Sequence, residues 1–320
     1  MMSGFPLSRR SLGAALLLPA FGAVGRARAA VPLRIGYQKS GSLVIVRQQN
    51  GLKALPAAVE WVEFTSGPPI MEALNAGAID FCSTGDTPPI FAQAAGADVI
   101  YVGGQPIVGA NSAILVRQDS PIRTLADLRG KRVAYTKGSS AHNFVVQALA
   151  SVGMKPADIQ SVFLQPSDAG AAFRNGSLDA WAVWDPFYAM AAADPGVRVL
   201  TTAEGVAPTN SFFLARRAFA DQNPALVLAV LDAINVAAAW VRGHPEELAE
   251  IMAQVTGVTL AAQRVAAPRG VYAVQPMDQA IIARQQAIAD SFADLKIIPA
   301  RIDIRSAVWH PPVTKASAHG

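Results

Sequence analysis

The sequence predicts an α/β fold in two lobes, each a mainly parallel sheet flanked by helices, with two chain crossings forming a hinge. Three observations predict it. Strand-like and helix-like runs alternate with short links, the alternation starts afresh near Ala113, and the 320 residues exceed one typical domain even without an N-terminal leader.

The elements follow in chain order. Val31 to Tyr37 reads as a first strand, and Gln38 to Ser42 as a turn feeding a helix near Leu43 to Gln49. Ala58 to Phe64 alternates apolar and polar residues as a second strand does. Pro69 to Ala76 makes a helix closed by Gly77. Ala78 to Ser83 is the third strand, Pro88 to Ala95 the next helix, and Val99 to Gly103 the fourth strand. The second unit opens with a strand at Ala113 to Val116. A polar segment and a helix at Leu125 to Leu128 lead into the strand Lys131 to Thr136. Val162 to Leu164, a helix at Ser167 to Asn175 and a strand at Ala180 to Trp184 continue it. Asp185-Pro186 stops that strand and starts a helix at Phe187 to Ala193. Ser211 to Ala215 reads as a strand crossing back, and from Pro224 onward the pattern is mostly helical, including Leu226 to Val241 and Asp278 to Leu295. This places lobe one at 30–113 plus 213–320 and lobe two at 114–212.

The first 29 residues read as an export signal. Ser8-Arg9-Arg10-Ser11-Leu12 is a twin-arginine pattern, Leu12 to Val24 is a moderately apolar stretch, and Ala27-Arg28-Ala29 has the small-x-small spacing that signal peptidase cuts after. The apolar stretch is shorter than the roughly twenty residues that span a bilayer, and Pro19 interrupts it. Beyond it no apolar run of membrane-spanning length stands out. Four of the 27 basic residues lie in the signal, which holds no acidic residue, so the mature chain has 23 of each sign. The precursor's charge of +4 is therefore no argument for nucleic-acid or membrane binding. Cys82 is the single cysteine, which excludes an intrachain disulfide, and it reads as a small buried hydrophobe. The four histidines are scattered and form no metal-ligand cluster, with His310 and His319 in a polar tail. No cofactor site is evident: there is no Gly-rich phosphate loop, nucleophile elbow or pair of carboxylates spaced for acid–base work.

The most informative segment is Ser139-Ser140-Ala141-His142-Asn143, directly after a strand-like run and opening an apolar one. A helix starting there leaves its first backbone N–H groups unpaired, and two hydroxyls add donors. Thr84-Gly85-Asp86-Thr87 followed by Pro88-Pro89 repeats the pattern, since Pro suits the first helical turn. Two such helix starts predict one anion gripped from two sides. The candidate ligand contacts are Gln38, Ser42, Gly85, Asp86, Thr87, Ser139, Ser140, His142, Asn143, Trp184 and Asp185. Several have a second reading. Ser139 and Ser140 also suit plain helix caps, His142 a packed or solvated position, and Trp184 core packing in place of covering a ligand's tail. For Asp86 the backbone is the proposed contact, its carboxylate serving as a cap or a bond between lobes.

Glu60 to Phe64, Glu72 to Gly77, Ser83 to Ala94, Lys137 to Asn143 and Asp179 to Pro186 together resemble the periplasmic aliphatic-sulfonate-binding proteins of ABC importers, over nearly the whole mature chain. The resemblance implies a type II periplasmic binding protein fold that closes on an alkanesulfonate. It also implies delivery to an inner-membrane permease and ATPase for sulfur supply, by a monomer with no enzymatic step. It is weakest between Arg47 and Ala57 and near Gln105 to Asn111. Taurine, nitrate and a thiamin-precursor pyrimidine are alternative ligands, and a pyrimidine-synthesising enzyme of related fold is the alternative of another class.

Overall fold

The computed structural model describes residues 32–106, 109–270 and 272–312; the proposed signal at 1–29 and His319 lie outside them. Alternating β-branched and aromatic residues build the first sheet from β1 (Leu33–Tyr37), β2 (Val59–Glu63), β3 (Phe81–Thr84), β4 (Val99–Gly104) and, much later, the returning strand. The second sheet holds β5 (Ser112–Arg117), β6 (Arg132–Tyr135), β7 (Gln160–Phe163), β8 (Ala180–Trp184) and β9 (Val197–Thr202). β10 (Phe212–Arg216) closes the first.

The strand orders are β2-β1-β3-β10-β4 and β7-β6-β8-β5-β9. Each sheet runs parallel except for one strand that arrives from the other lobe: β10 is antiparallel to β3 and β4, and β5 to β8 and β9. The chain passes between sheets over 105–111 and 203–211, so the expected lobe boundaries fall inside β5 and β10. β9, made of Val197–Thr202, was not anticipated; it forms the edge of the second sheet beside β5.

The two sheets share an internal device. Arg34 on β1 donates from its backbone N–H and, bidentately, from its side chain to the Asp80 carboxylate just before β3, with Nη2 to Oδ1 at 2.8 Å and Nε to Oδ2 at 2.9 Å. Arg132 on β6 meets Asp179, just before β8, in the same way at 2.9 and 3.1 Å. Each forked pair fixes the register of the first and third parallel strands of its sheet.

Helices cover both faces. In lobe one, α1 (Ser42–Gln48), α2 (Gly67–Asn75) and α3 (Thr87–Ala94) follow β1, β2 and β3. In lobe two, α4 (Ser140–Ala150), α5 (Pro166–Arg174) and α6 (Phe187–Ala192) do the same. The chain then returns through α7 (Arg217–Gln222), α8 (Pro224–Gly243), α9 (Pro245–Thr256), α10 (Leu260–Ala266) and α11 (Gln279–Asp294). α8 corrects one expectation, because by length and composition it is apolar enough to cross a membrane. Here its Val227, Val230 and Ile234 are buried with Leu43 and Ile45 of α1 against β1. α11 seals the opposite face through Ile288 and Phe292.

Candidate functional site

The carboxyl ends of the parallel strands in both sheets face one cavity, where open α/β sheets place their ligands. From lobe one come Gln38 after β1, Thr84 and Gly85 at the end of β3, and Gly67 at the start of α2; from lobe two come Ser139 and Ser140 at the start of α4, with Trp184 and Asp185 at the end of β8. A third wall, Met252, Gln263, Ala267 and Tyr272, comes from α9, α10 and the segment after them.

Six of the eleven proposed contacts thus lie on the wall: Gln38, Gly85, Ser139, Ser140, Trp184 and Asp185. Ser139 does not cap α4 with its side chain; its hydroxyl donates to Thr136 O at 2.7 Å. Trp184 is half-buried, edge-on to Phe187 with centroids 6.3 Å apart, whereas Trp181 is a core residue against Phe173.

The other five are placed elsewhere, each with its polar atoms engaged. Ser42 donates to Tyr272 O at 2.8 Å and accepts from Gln105 Nε2 at 2.8 Å, tying α1 to the third wall. Asp86 is fully buried as the cap of α3 and accepts from Thr87 N at 2.8 Å and Thr87 Oγ1 at 3.1 Å. Its other oxygen accepts from Asn143 Nδ2 at 2.6 Å, and its backbone carbonyl accepts from Gln285 Nε2 at 2.6 Å. Burial pushes the Asp86 carboxyl up, while hydrogen bonds from Ser140, Asn143 and Thr87 oppose that push. Since Pro88 and Pro89 have no N–H and that of Thr87 is taken, the start of α3 is occupied by the protein's own carboxylate. Of the three amides expected there, only Gly85 lies on the wall among the described residues.

His142 is likewise a packing residue. Its ring sits 5.1 Å from Tyr135 and 5.3 Å from Phe292, and Nδ1 accepts from Gly138 N at 3.2 Å. Burial, with Lys137 nearby, pulls its pKa down to about 4, so it stays neutral. Phe292 and Phe91 belong to lobe one, so His142 joins lobes instead of reaching into the cleft.

Two features of the wall were not read from the sequence. Thr84 is 3% exposed and its Oγ1 has no hydrogen-bond partner. Gly67 lies against it, since a Cβ there would stand 2.2 Å from that oxygen. The signal was present in Gly67-Pro68, a second helix start. The Met252–Tyr272 wall carried none, because only the return of the chain brings it there.

Asp185 holds the sharpest electrostatics. Oδ1 accepts from Ala189 N at 3.0 Å, capping α6, and Arg269 Nε lies 3.3 Å from Oδ2 without hydrogen-bond alignment. Burial lifts the carboxyl to about 7 despite Arg269. The Arg269 guanidinium also stacks 4.2 Å over the Tyr188 ring, so the third wall is fastened to lobe two. No lysine or arginine is among the described residues of the wall.

The chain that builds this arrangement is similar to known proteins. An NMT1/THI5-like family model matches residues 58–248. The aliphatic sulfonate-binding protein of Escherichia coli (strain K12) is 44% identical over 285 residues, 87% of this chain and 89% of that protein. The chain belongs to the aliphatic-sulfonate-binding proteins. The crystal structure of the E. coli periplasmic protein of this family, SsuA, aligns with a TM-score of 0.81 at 41% identity, over 90% of this chain and 95% of that one. SsuA from Xanthomonas axonopodis pv. citri, bound to MOPS, aligns with a TM-score of 0.84 at 41% identity, over 87% and 98%. In this member of the family the cleft is lined from both sheets, and Asp86, Asn143 and His142 fasten its two sides together.

Proposed function

We propose that the protein is an extracytoplasmic receptor that captures aliphatic sulfonates between its lobes and delivers them to an ABC permease and ATPase for sulfur acquisition. The observation that carries this reading is the chemistry of the wall. A sulfonate is ionised at any physiological pH and has three acceptor oxygens and no donor. Gly67, Gly85 and Ser140, at or beside three helix starts, with the unpartnered hydroxyl of Thr84, form a wall that offers donors with no lysine or arginine among its described residues. Helix starts of this kind favour an anion by about 0.3 to 1 kcal/mol each, and up to about 2 when partly buried. Trp184 and Met252 offer apolar cover to a carbon tail.

Capture works by closure. Gly85 of lobe one meets Ser140 of lobe two, and Ser66 Oγ donates to Gln165 Oε1 at 2.9 Å across the same gap. A ligand touching both walls makes its full set of contacts only in this closed form and so selects it. Export through a twin-arginine signal over 1–29 and a monomeric state belong to the same proposal.

Isothermal titration of the refolded, ligand-stripped mature chain in phosphate buffer tests the reading. Ethanesulfonate should bind with a low-micromolar or tighter constant, and nitrate and sulfate should not. Absence of ethanesulfonate binding would refute it. Asp185 on the wall favours a second reading, a taurine-type aminosulfonate whose ammonium faces that carboxylate, and taurine in the same series distinguishes the two.

A further inference from the structure

We propose that Asp185 and Asp86 make the cleft a counter of charge, which accepts singly charged sulfonates and sulfate esters and rejects doubly charged anions such as inorganic sulfate. The inference rests on the sulfonate-receptor reading and deepens it.

The argument starts from what positive charge the site holds. Among the described residues its wall has no lysine or arginine. The positive field comes from the starts of α2, α3 and α4, at Gly67, Pro88 and Ser140, and each helix start carries roughly half a unit of charge. Part of that field is already taken up. Asp86 caps α3 and, through Asn143 Nδ2 at 2.6 Å, also bonds to the first turn of α4.

Asp185 acts from the opposite side. It lies on the wall, while Arg269 is not part of it; the guanidinium contacts Oδ2 at 3.3 Å and the Tyr188 ring at 4.2 Å. Arg269 Nη2 also donates to Oδ1 at 3.4 Å, so the carboxylate stands between the cavity and its counterion. Helix starts remaining after Asp86 balance about one ligand charge. A second charge finds no counterion on the wall, and it is repelled by Asp185 on the wall and by Asp86 buried behind it, in a site where buried neighbours weaken solvent screening. Discrimination between a sulfonate and sulfate, whose SO3 groups have the same shape, then falls to charge instead of fit. Methyl sulfate separates the two explanations, because it keeps the sulfate geometry and carries one charge.

The experiment is isothermal titration at pH 8.5 and fixed ionic strength, where the Asp185 carboxyl, lifted to about 7, is ionised. Wild type, Asp185→Asn and Asp86→Asn are each titrated with ethanesulfonate, methyl sulfate and sodium sulfate. Asparagine keeps the shape and an acceptor oxygen at both places. Wild type should bind ethanesulfonate and methyl sulfate alike and sulfate about 1,000-fold more weakly. Each variant should narrow the ratio of methyl sulfate to sulfate affinity by about tenfold, the order expected for removing one nearby like charge. A ratio unchanged in both variants, or sulfate binding wild type as tightly as methyl sulfate, overturns the inference and leaves the receptor reading standing. Failure of both singly charged ligands to bind wild type overturns the receptor reading and this inference with it.

Discussion

Asp86 Oδ2 accepts a 2.6 Å hydrogen bond from Asn143 Nδ2, joining the start of α3 in one lobe to the first turn of α4 in the other. Both side chains are buried, at 0% and 1% exposure. Under the proposed closure mechanism this bond forms as the lobes close and is lost when the cleft opens.

Asn143→Ala tests that coupling. The change leaves a buried carboxylate short of one donor, which costs about 1 to 3 kcal/mol. Because the cost falls on closure, sulfonate affinity should drop roughly 5- to 100-fold, mostly through faster release. Stopped-flow fluorescence of Trp184 reads both rates; a slower association with unchanged release would contradict the assignment.

Gly85→Ala addresses closure by shape. A Cβ there would lie 1.8 Å from Ser140 Oγ and 3.1 Å from Ser140 Cβ. Overpacking of this kind costs about 1 to 3 kcal/mol, so affinity should fall about tenfold while the melting temperature without ligand stays close to wild type. Ser140→Gly in the same background should restore part of the loss, and titration of the double variant checks it.

Thr84→Val should separate folding from binding. The hydroxyl is buried with no partner, so an isosteric methyl should leave stability without ligand unchanged or raise it. Sulfonate affinity should fall about tenfold if the hydroxyl turns to the ligand, an amount typical of one hydrogen bond to a charged group. Thermal unfolding with and without ethanesulfonate measures both effects together.

Two buried groups give stability opposite slopes with pH. Asp185 has its carboxyl raised from 3.8 to about 7, so between those values the folded state holds the extra proton and stability falls as pH rises. His142 is lowered from 6.5 to about 4, so there the unfolded state holds the extra proton and stability rises with pH. From about pH 4 to 6.5 the two contributions offset each other. Asp185→Asn should unmask a rise in urea-unfolding free energy across that window, and His142→Phe a fall. Parallel curves for both variants and wild type would show that neither group titrates as described.

Much of the site was legible locally. Gly85 and Ser140 line the cavity as their places at the ends of strands and starts of helices suggested, since a turn between a strand and a helix leaves backbone donors free. The Asp86 carboxylate is the cap and bond between lobes that its position suggested, whereas its backbone, Asn143 and His142, expected at the ligand, belong to the seam between lobes. Asp86 and Asn143 are 57 residues apart, Gln285 is 199 from Asp86, and Phe91 and Phe292 reach His142 from the other lobe, beyond what any local pattern encodes. α8 shows the converse: its length and composition suit a membrane, and only the tertiary structure shows Val227, Val230 and Ile234 packed with α1 and β1.

By itself the sequence determined the alternation of strands and helices, the positions of two helix starts and the family, because hydrophobic period, proline and glycine placement and short motifs are local properties. The tertiary structure decided which carboxylate answers which helix start, that Met252 to Tyr272 closes the cleft, and that Arg269 stands behind Asp185. Those relations depend on residues far apart in the chain, brought together by the return through β10 and the burial it enforces.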